Sequence, residues 1–435
     1  MNKSINLALG LSALVIAGAA ALVWSLNVRD EVDVRVILAT AAPSDELIAR
    51  GAYLARAGSC MSCHTAQGGE RYAGGRAIAT PFGTVFSANL TPDDTTGIGR
   101  WSPAHFWRAL HNGRSKDGRL LYPAFPYPDY TQVKREDSDA LFAYLGSLPA
   151  IERPNQPHAL RFPYRLQTAL ALWRALYFRP GVYQPDASRN AQWNRGAYLV
   201  KGLGHCNACH AARNALGASS QGQDLAGGVI PMQNWYAPSL ISPHEAGVGE
   251  WDREQIVNLL KNGVSPRASV SGPMAQVVLH STQYLSQEDL DAMAQFLKEI
   301  PSTRPEPSAA AEASRAPTLN AARGARLYEM HCAQCHGKKG QGVGGADAPN
   351  AYPALAGNRA VTMTQTVNLV QMVLGGGYAP ATQANPRPFG MPPFALILSD
   401  SDVAEVLTHI RRSWGNQAGT VTVLDVNRIR ANQAH

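Results

Sequence analysis

The chain has 435 residues, with 39 Lys and Arg against 32 Asp and Glu for a formal net charge of +7. That length suits three domains of ordinary size, each large enough to bury a core. The basic excess is too small to select an acidic partner. No Lys/Arg run of the kind that grips nucleic acid occurs, which excludes that class.

The first predicted element is a helix. Leu7 to Leu26 is apolar except for Ser12 and Ser25, and no charge falls between Ile5 and Val28. Such a stretch is long enough to cross about 30 Å of hydrocarbon. A cleaved secretory peptide carries a shorter apolar core, of about 7–15 residues. Residues 1–44 therefore read as a retained transmembrane anchor and spacer. By the positive-inside rule Lys3 and the amino terminus stay on the cytoplasmic side of the inner membrane, with the rest of the chain exported.

Three repeats follow. Arg50-Gly-Ala-Tyr-Leu54, Arg195-Gly-Ala-Tyr-Leu199 and Arg323-Gly-Ala-Arg-Leu327 each read as an N-terminal helix. One to two turns after each comes a second repeat: Cys60-Met-Ser-Cys63-His64, Cys206-Asn-Ala-Cys209-His210 and Cys332-Ala-Gln-Cys335-His336. This is the attachment pattern of c-type haem. Two thiols three residues apart form thioethers with the two vinyl groups of one porphyrin, and the adjacent histidine meets the iron. All six cysteines are used. A zinc site would need further Cys or His ligands at short spacing, and a redox dithiol does not require the trailing histidine. The cofactor expectation is three covalently bound haem c, whose propionates would offset most of the positive charge.

The first two repeats continue in parallel. Gly97-Ile-Gly-Arg-Trp101 is echoed by Gly247-Val-Gly-Glu-Trp251, and Leu110-His-Asn-Gly113 by Leu260-Lys-Asn-Gly263, the glycine serving as a helix C-cap. Closing helices are predicted over Asp137 to Leu148, Ser286 to Ile300 and Ser399 to Trp414. Ser286 and Ser399 act as caps, and Leu290, Met293, Ala294 and Leu297 recur at helical spacing. The predicted fold is all-α: three tandem class I-like cytochrome c domains at 45–150, 191–300 and 321–415, behind an N-terminal membrane anchor helix. Residues 151–190 form a connector with a helix over Arg165 to Phe178. Leu166, Leu170, Trp173 and Tyr177 would line one face, with Gln167 and Arg174 elsewhere. That face either packs on its own domains or docks a partner or the membrane. Residues 301–320 are a Pro/Ala/Ser linker. The tail at 416–435 has no assigned element, a strand-like partner contact being one reading.

A methionine opposite the histidine gives a low-spin haem of raised potential, suited to passing electrons. In the third domain Met391 sits in Phe389-Gly-Met-Pro-Pro393, where flanking prolines fix the backbone. Met363 and Met372 lie in helical patterns and read as core. In the second, Met274 follows Gly272-Pro273, while Met232 comes too early and Met293 is on a packed helix face. The first domain has no such methionine; the matching loop reads Tyr122-Pro-Ala-Phe125-Pro-Tyr127. His105, His111 and His158 remain, and His111 is the candidate distal ligand; it reads equally as a surface or core histidine. The glycine run Gly375 to Gly377 is a loop between helices, without the lysine or strand that nucleotide binding needs.

Over residues 45–415 the chain resembles the triple-haem cytochrome c subunits of bacterial membrane-bound alcohol, aldehyde, gluconate and related sugar dehydrogenases. The resemblance rests on the three haem motifs with Tyr72-Ala-Gly-Gly-Arg76, Pro81-Phe-Gly-Thr84, Asn89-Leu-Thr-Pro92, Gly272-Pro-Met274 and His280-Ser-Thr-Gln-Tyr-Leu285. It implies a subunit that accepts electrons from a separate catalytic subunit, carrying molybdopterin, flavin or pyrroloquinoline quinone. The electrons go on to ubiquinone or a terminal oxidase. It also implies the roles given to the six cysteines, His64, His210, His336, Met274 and Met391. Phe125 stands where the first methionine is expected, and the Ala-Phe-Pro-Tyr form resembles members accompanying molybdenum dehydrogenases of aldehydes or N-heterocycles. Many members attach by a C-terminal segment, unlike this chain. Substrate chemistry then belongs to the partner. Two rivals are a haem peroxidase or small-molecule sensor using an open first haem, and a cytochrome c subunit of a terminal oxidase.

Overall fold

A computed structural model describes residues 3–31, 34, 42–219, 224–302, 321–345 and 348–433. The 301–320 linker lies, from residue 303 on, outside the described residues, as does most of the spacer before Ser44. Helix α1 spans Lys3–Asn27, with Leu7, Leu14 and Ile16 exposed along it.

Each of the three bodies beyond α1 is built on a crossing of two helices. In the first, α2 (Asp45–Ala57) lies across α4 (Arg135–Gly146), with α3 (Pro103–Asn112) alongside. The connector helix α5 covers Gln167–Tyr177. In the second body α6 (Ala191–Tyr198), prolonged by a π-helical turn at Leu199–Leu203, crosses α9 (Gln287–Glu299), with α7 (Arg253–Asn262) and α8 (Gly272–His280) between them in sequence. In the third, α10 (Ala321–His331) crosses α12 (Asp400–Arg412), joined by α11 (Val367–Gly375). The predicted boundaries are met where a cap fixes them. Ser286 accepts from the Asp289 backbone N–H at 3.2 Å, Ser399 forms a capping box with Asp402, and Gly113 and Gly263 end their helices at φ 58° and 74°.

The repeated glycine makes the crossings possible. A Cβ at Gly51 would overlap the Ala140 carbonyl, one at Gly196 the Ala292 carbonyl, and one at Gly324 the Glu405 carbonyl. Only hydrogen lets these backbones approach so closely.

The arginine and tyrosine of the same repeat explain how the bodies associate. Arg50 pairs with Asp137 at 2.5 Å, and Asp137 also accepts from the Tyr198 hydroxyl, also at 2.5 Å. Reciprocally, Arg195 pairs with Asp289 at 2.7 Å, and Asp289 accepts from the Tyr53 hydroxyl at 2.7 Å. Each aspartate thus joins its own body's arginine to the other body's tyrosine. The first two bodies accordingly share one core, which includes Leu54, Leu141, Leu145, Val200, Leu203, Trp251, Leu290 and Phe296. In the third body Arg323 pairs with Asp402, but the tyrosine position holds exposed Arg326. That body keeps its own core around Leu327, Val370, Leu374, Val403 and Leu407. It meets the second body through polar contacts, among them Asn368 with the backbone of Tyr236.

Three expectations need correction. The cores are helical, but short antiparallel ladders accompany them. They include a three-stranded sheet of β1 (Ala77–Thr80), β2 (Gly83–Phe86) and β3 (Ala159–Leu160). Each strand has at most five residues, too short for alternation to show in the sequence. The tail is not strand-like: α13 (Val423–Gln433) is a helix, and Val426 and Ile429 fill the third core with Val421. Its start signal is Thr422, whose hydroxyl accepts from the Asp425 backbone N–H at 3.1 Å. On α5, Arg174 is not off the apolar face but buried one turn from Leu170, and Leu166, just ahead of the helix, is exposed.

Gly196→Ala should cost about 3 kcal/mol, because added volume at a packed crossing forces the helices apart. Tyr53→Phe and Tyr198→Phe should each cost about 2 kcal/mol, the worth of a hydrogen bond to a buried charge. Arg326→Ala should change stability by less than about 0.5 kcal/mol. Urea denaturation of the purified protein measures all four.

Candidate haem attachment sites

The three Cys-x-x-Cys-His segments adopt one local form. Each is a single helical turn (Cys60–Cys63, Asn207–His210, Ala333–His336) that follows the end of the N-terminal helix of its body. The turn brings residues i and i+3 to one side, so both sulfurs face the same space. All six thiols are free of disulfides. Ser59 and His205, just ahead of the first cysteine in two of the sites, hold φ of 51° and 41°. Non-glycine residues in this region mark a chain bent by its surroundings.

The histidines are oriented alike. Nδ1 of His64 lies 2.7 Å from the Ala88 carbonyl, Nδ1 of His210 2.7 Å from that of Pro238, and Nδ1 of His336 2.9 Å from that of Pro353. A carbonyl can only accept, so each Nδ1 carries the proton and each Nε2 presents a lone pair. A metal-ligating imidazole is held in this way, one nitrogen donating to an oxygen while the other faces the metal. Burial lowers all three pKa values and so favours neutral rings at neutral pH, against the smaller upward pull of the carbonyl bond. The residues that supply these carbonyls form their own repeat, Ala88-Asn-Leu90, Pro238-Ser-Leu240 and Pro353-Ala-Leu355. Sequence reasoning missed it, although it is visible once the histidines are aligned.

The ligand set fits haem c and not a protein-only metal site. No cluster of three or more His, Cys, Asp and Glu exists among the described residues. Burial, with Cys63 next in effect, pushes the Cys60 thiol up to about 12; burial, then Asp129 and Cys209, does the same for Cys206. In the second body Trp251 is fully buried, and its indole N–H has no partner among the described residues. A buried donor of this kind suits a porphyrin propionate.

Met274 lies in the first turn of α8 and borders the same core as Cys206. Met391 borders the same core as Cys332. It is held by a short ladder in which Gly377 pairs with Met391, and a Cβ at Gly376 would meet the Met391 carbonyl. The glycine run is therefore the strand partner of the methionine loop. In the first body Phe125 packs against the shared core, its ring centroid 5.4 Å from that of Tyr130. The three histidines differ in tautomer. His105 accepts from the Ser102 N–H at Nδ1 (3.2 Å) and His158 from the Phe86 N–H (3.2 Å), so their protons sit on Nε2. His111 has Nδ1 2.9 Å from the Thr131 carbonyl, which leaves Nε2 with its lone pair, and its ring stacks on Trp107 at 4.7 Å.

The first two sites meet at one carbonyl. Gly58 O, two residues ahead of Cys60, accepts from Tyr130 at 2.7 Å and lies 3.3 Å from Nε2 of His205, the residue before Cys206.

The cytochrome c family model matches residues 48–149 and 321–414. The alcohol dehydrogenase (quinone) cytochrome c subunit of Gluconacetobacter polyoxogenes is 38% identical, over 88% of this chain and 84% of its own. The gluconate 2-dehydrogenase cytochrome c subunit of Pantoea cypripedii is 37% identical over 90% and 92%. The chain belongs to the family of these cytochrome c subunits. The cytochrome is also 40% identical, over 85% of its length, to a part of a nicotinate dehydrogenase subunit of Pseudomonas putida, covering 30% of that protein. The family bears out the resemblance read from the motifs, and cytochrome c domains imply covalent haem c.

Met274→Ala and Met391→Ala should each lower the midpoint potential of one centre by on the order of tenths of a volt, within the span that axial ligands control. Each should also weaken the long-wavelength sulfur-to-iron absorption band. Redox titration and optical spectra check both. His111→Ala should perturb one centre only, and His105→Ala and His158→Ala none.

Proposed function

We propose that this chain is a triple-haem electron-transfer subunit of a dehydrogenase complex, anchored in the inner membrane by α1 with its three bodies in the periplasm. In this reading the cytochrome c domains are residues 45–150, 191–300 and 321–415. Cys60, Cys63, Cys206, Cys209, Cys332 and Cys335 hold haem c through thioethers. His64, His210 and His336 are proximal ligands, Met274 and Met391 are distal ligands, and His111 is the candidate distal ligand of the first site. When bound, the group supplies one-electron chemistry, and the protein's work is ligation, burial and spacing. The observation that carries this reading is the threefold recurrence of a histidine beside two thiols with Nδ1 bonded to a backbone carbonyl. The middle body has the same turn and carbonyl bond as the two that the family model matches.

The meeting of the first two attachment segments at Gly58 supports transfer between sites within the chain. The names of the relatives support a separate catalytic subunit as donor. The Ala124–Tyr127 loop, which resembles that of members accompanying molybdenum dehydrogenases of aldehydes or N-heterocycles, favours a molybdopterin partner over a flavin or quinoprotein one, and the nicotinate in one relative's name is such a heterocycle. Ubiquinone or a terminal oxidase is the acceptor.

Denatured protein extracted with acidified solvent should keep its pigment, and iron analysis should return three atoms per chain. Replacing both cysteines of any one pair by Ala should remove one third of the iron. Detergent-solubilised preparations should co-purify a catalytic subunit that reduces the cytochrome on addition of its substrate. Loss of pigment on extraction, or two irons per chain, overturns the triple-haem reading.

A further inference from the structure

Helix α5 is built inside out. Its only charged residue, Arg174, is 2% exposed, while Leu172 and Leu176, one turn apart, are 53% and 52% exposed. Phe162 just ahead of it is 71% exposed, with Tyr164 and Leu166 also at the surface. A surface helix in water presents its charge outward and its leucines inward. A contiguous apolar surface marks a place that something apolar covers.

The inward arginine ties α5 to the end of α1. Its Nε donates to Asn27 Oδ1 at 2.9 Å, its guanidinium caps the α3 C-terminus through the Asn112 carbonyl at 2.7 Å, and it lies over the Tyr127 and Phe178 rings. Asn27 in turn donates from Nδ2 to the Ala171 carbonyl at 2.9 Å, and its own carbonyl accepts from Arg114 at 3.2 Å. The last turn of the apolar span is therefore bonded to α5. Trp24, exposed on that turn, lies about 5 Å along the α1 axis from Asn27. Tryptophan at such a place sits at headgroup level. Arg165 and Arg179, which bracket the exposed leucines, are themselves exposed. Their stems can follow apolar surface while the guanidinium groups reach anionic phosphates.

We propose that the outer face of α5, with Phe162 and Tyr164, is a membrane-interface surface seated in the headgroup and upper acyl region of the leaflet that α1 enters. It rests on the reading of α1 as a retained transmembrane anchor. The seat would fix the tilt of the haem-bearing bodies over the bilayer, since one helix alone leaves rotation about its axis free.

The test uses the full-length haem-loaded chain, whose native cysteines are consumed by thioethers, so that one added cysteine takes one nitroxide label. Labels at Leu172→Cys, Leu176→Cys, Leu14→Cys and Met330→Cys are compared in phosphatidylethanolamine/phosphatidylglycerol vesicles by power saturation with oxygen and a water-soluble nickel chelate. Oxygen collisions should exceed nickel collisions at 14, 172 and 176, and the order should reverse at 330. Labels at 172 and 176 that read as water, while 14 reads as lipid, overturn the seat and leave the anchor standing. Labels at 172 and 176 shielded from both agents show a second copy or a partner subunit covering the face, which also overturns it. A water reading at 14 refutes the anchor and the seat together.

Discussion

Two buried carboxylates hold the larger part of this molecule together. Asp137 and Asp289 each face two demands, the arginine of their own body and the tyrosine of the neighbour. A buried carboxylate that lost either partner would keep its desolvation cost without full compensation. The two bodies are thus held in one register, with the shared core filling the space between them. From that register follows the approach of the first two attachment segments at Gly58.

The three Cys-x-x-Cys-His turns show how little protein is needed to orient an imidazole. A backbone carbonyl fixes the tautomer of His64, His210 and His336 alike, and a backbone carbonyl cannot be lost by substitution of its side chain. The residue that supplies it can therefore be Ala88 in one copy and proline in the other two without changing the chemistry. Side-chain positions lack such protection, and there the copies differ: Phe125 stands in the first where the others have Met274 and Met391.

Much of this is legible in the sequence because the chemistry is local. The cysteine turns, the capping serines and the C-cap glycines need only neighbours in sequence, and they fall at the residues expected. The reciprocal use of Tyr53 and Tyr198 is not legible, since the repeat shows the residues but not that each reaches another body. Arg174 is misplaced by helical periodicity, which sets it apart from the apolar face, because tertiary bonds to Asn27 and Asn112 draw it in beside Leu170. The tail helix escapes detection because β-branched Val421, Thr422 and Val423 suggest a strand, whereas a single threonine cap starts the helix.

Exposed Arg326 in place of the paired tyrosines has a consequence for how such a chain can change over generations. In the first two bodies a substitution at the shared aspartates or tyrosines alters the fitness of residues in the other body, so the two must drift in concert. The third body meets its neighbour through polar contacts around a separate core, and it is released from that obligation. It is the part of the molecule most free to acquire new surface chemistry while the first two bodies stay unchanged.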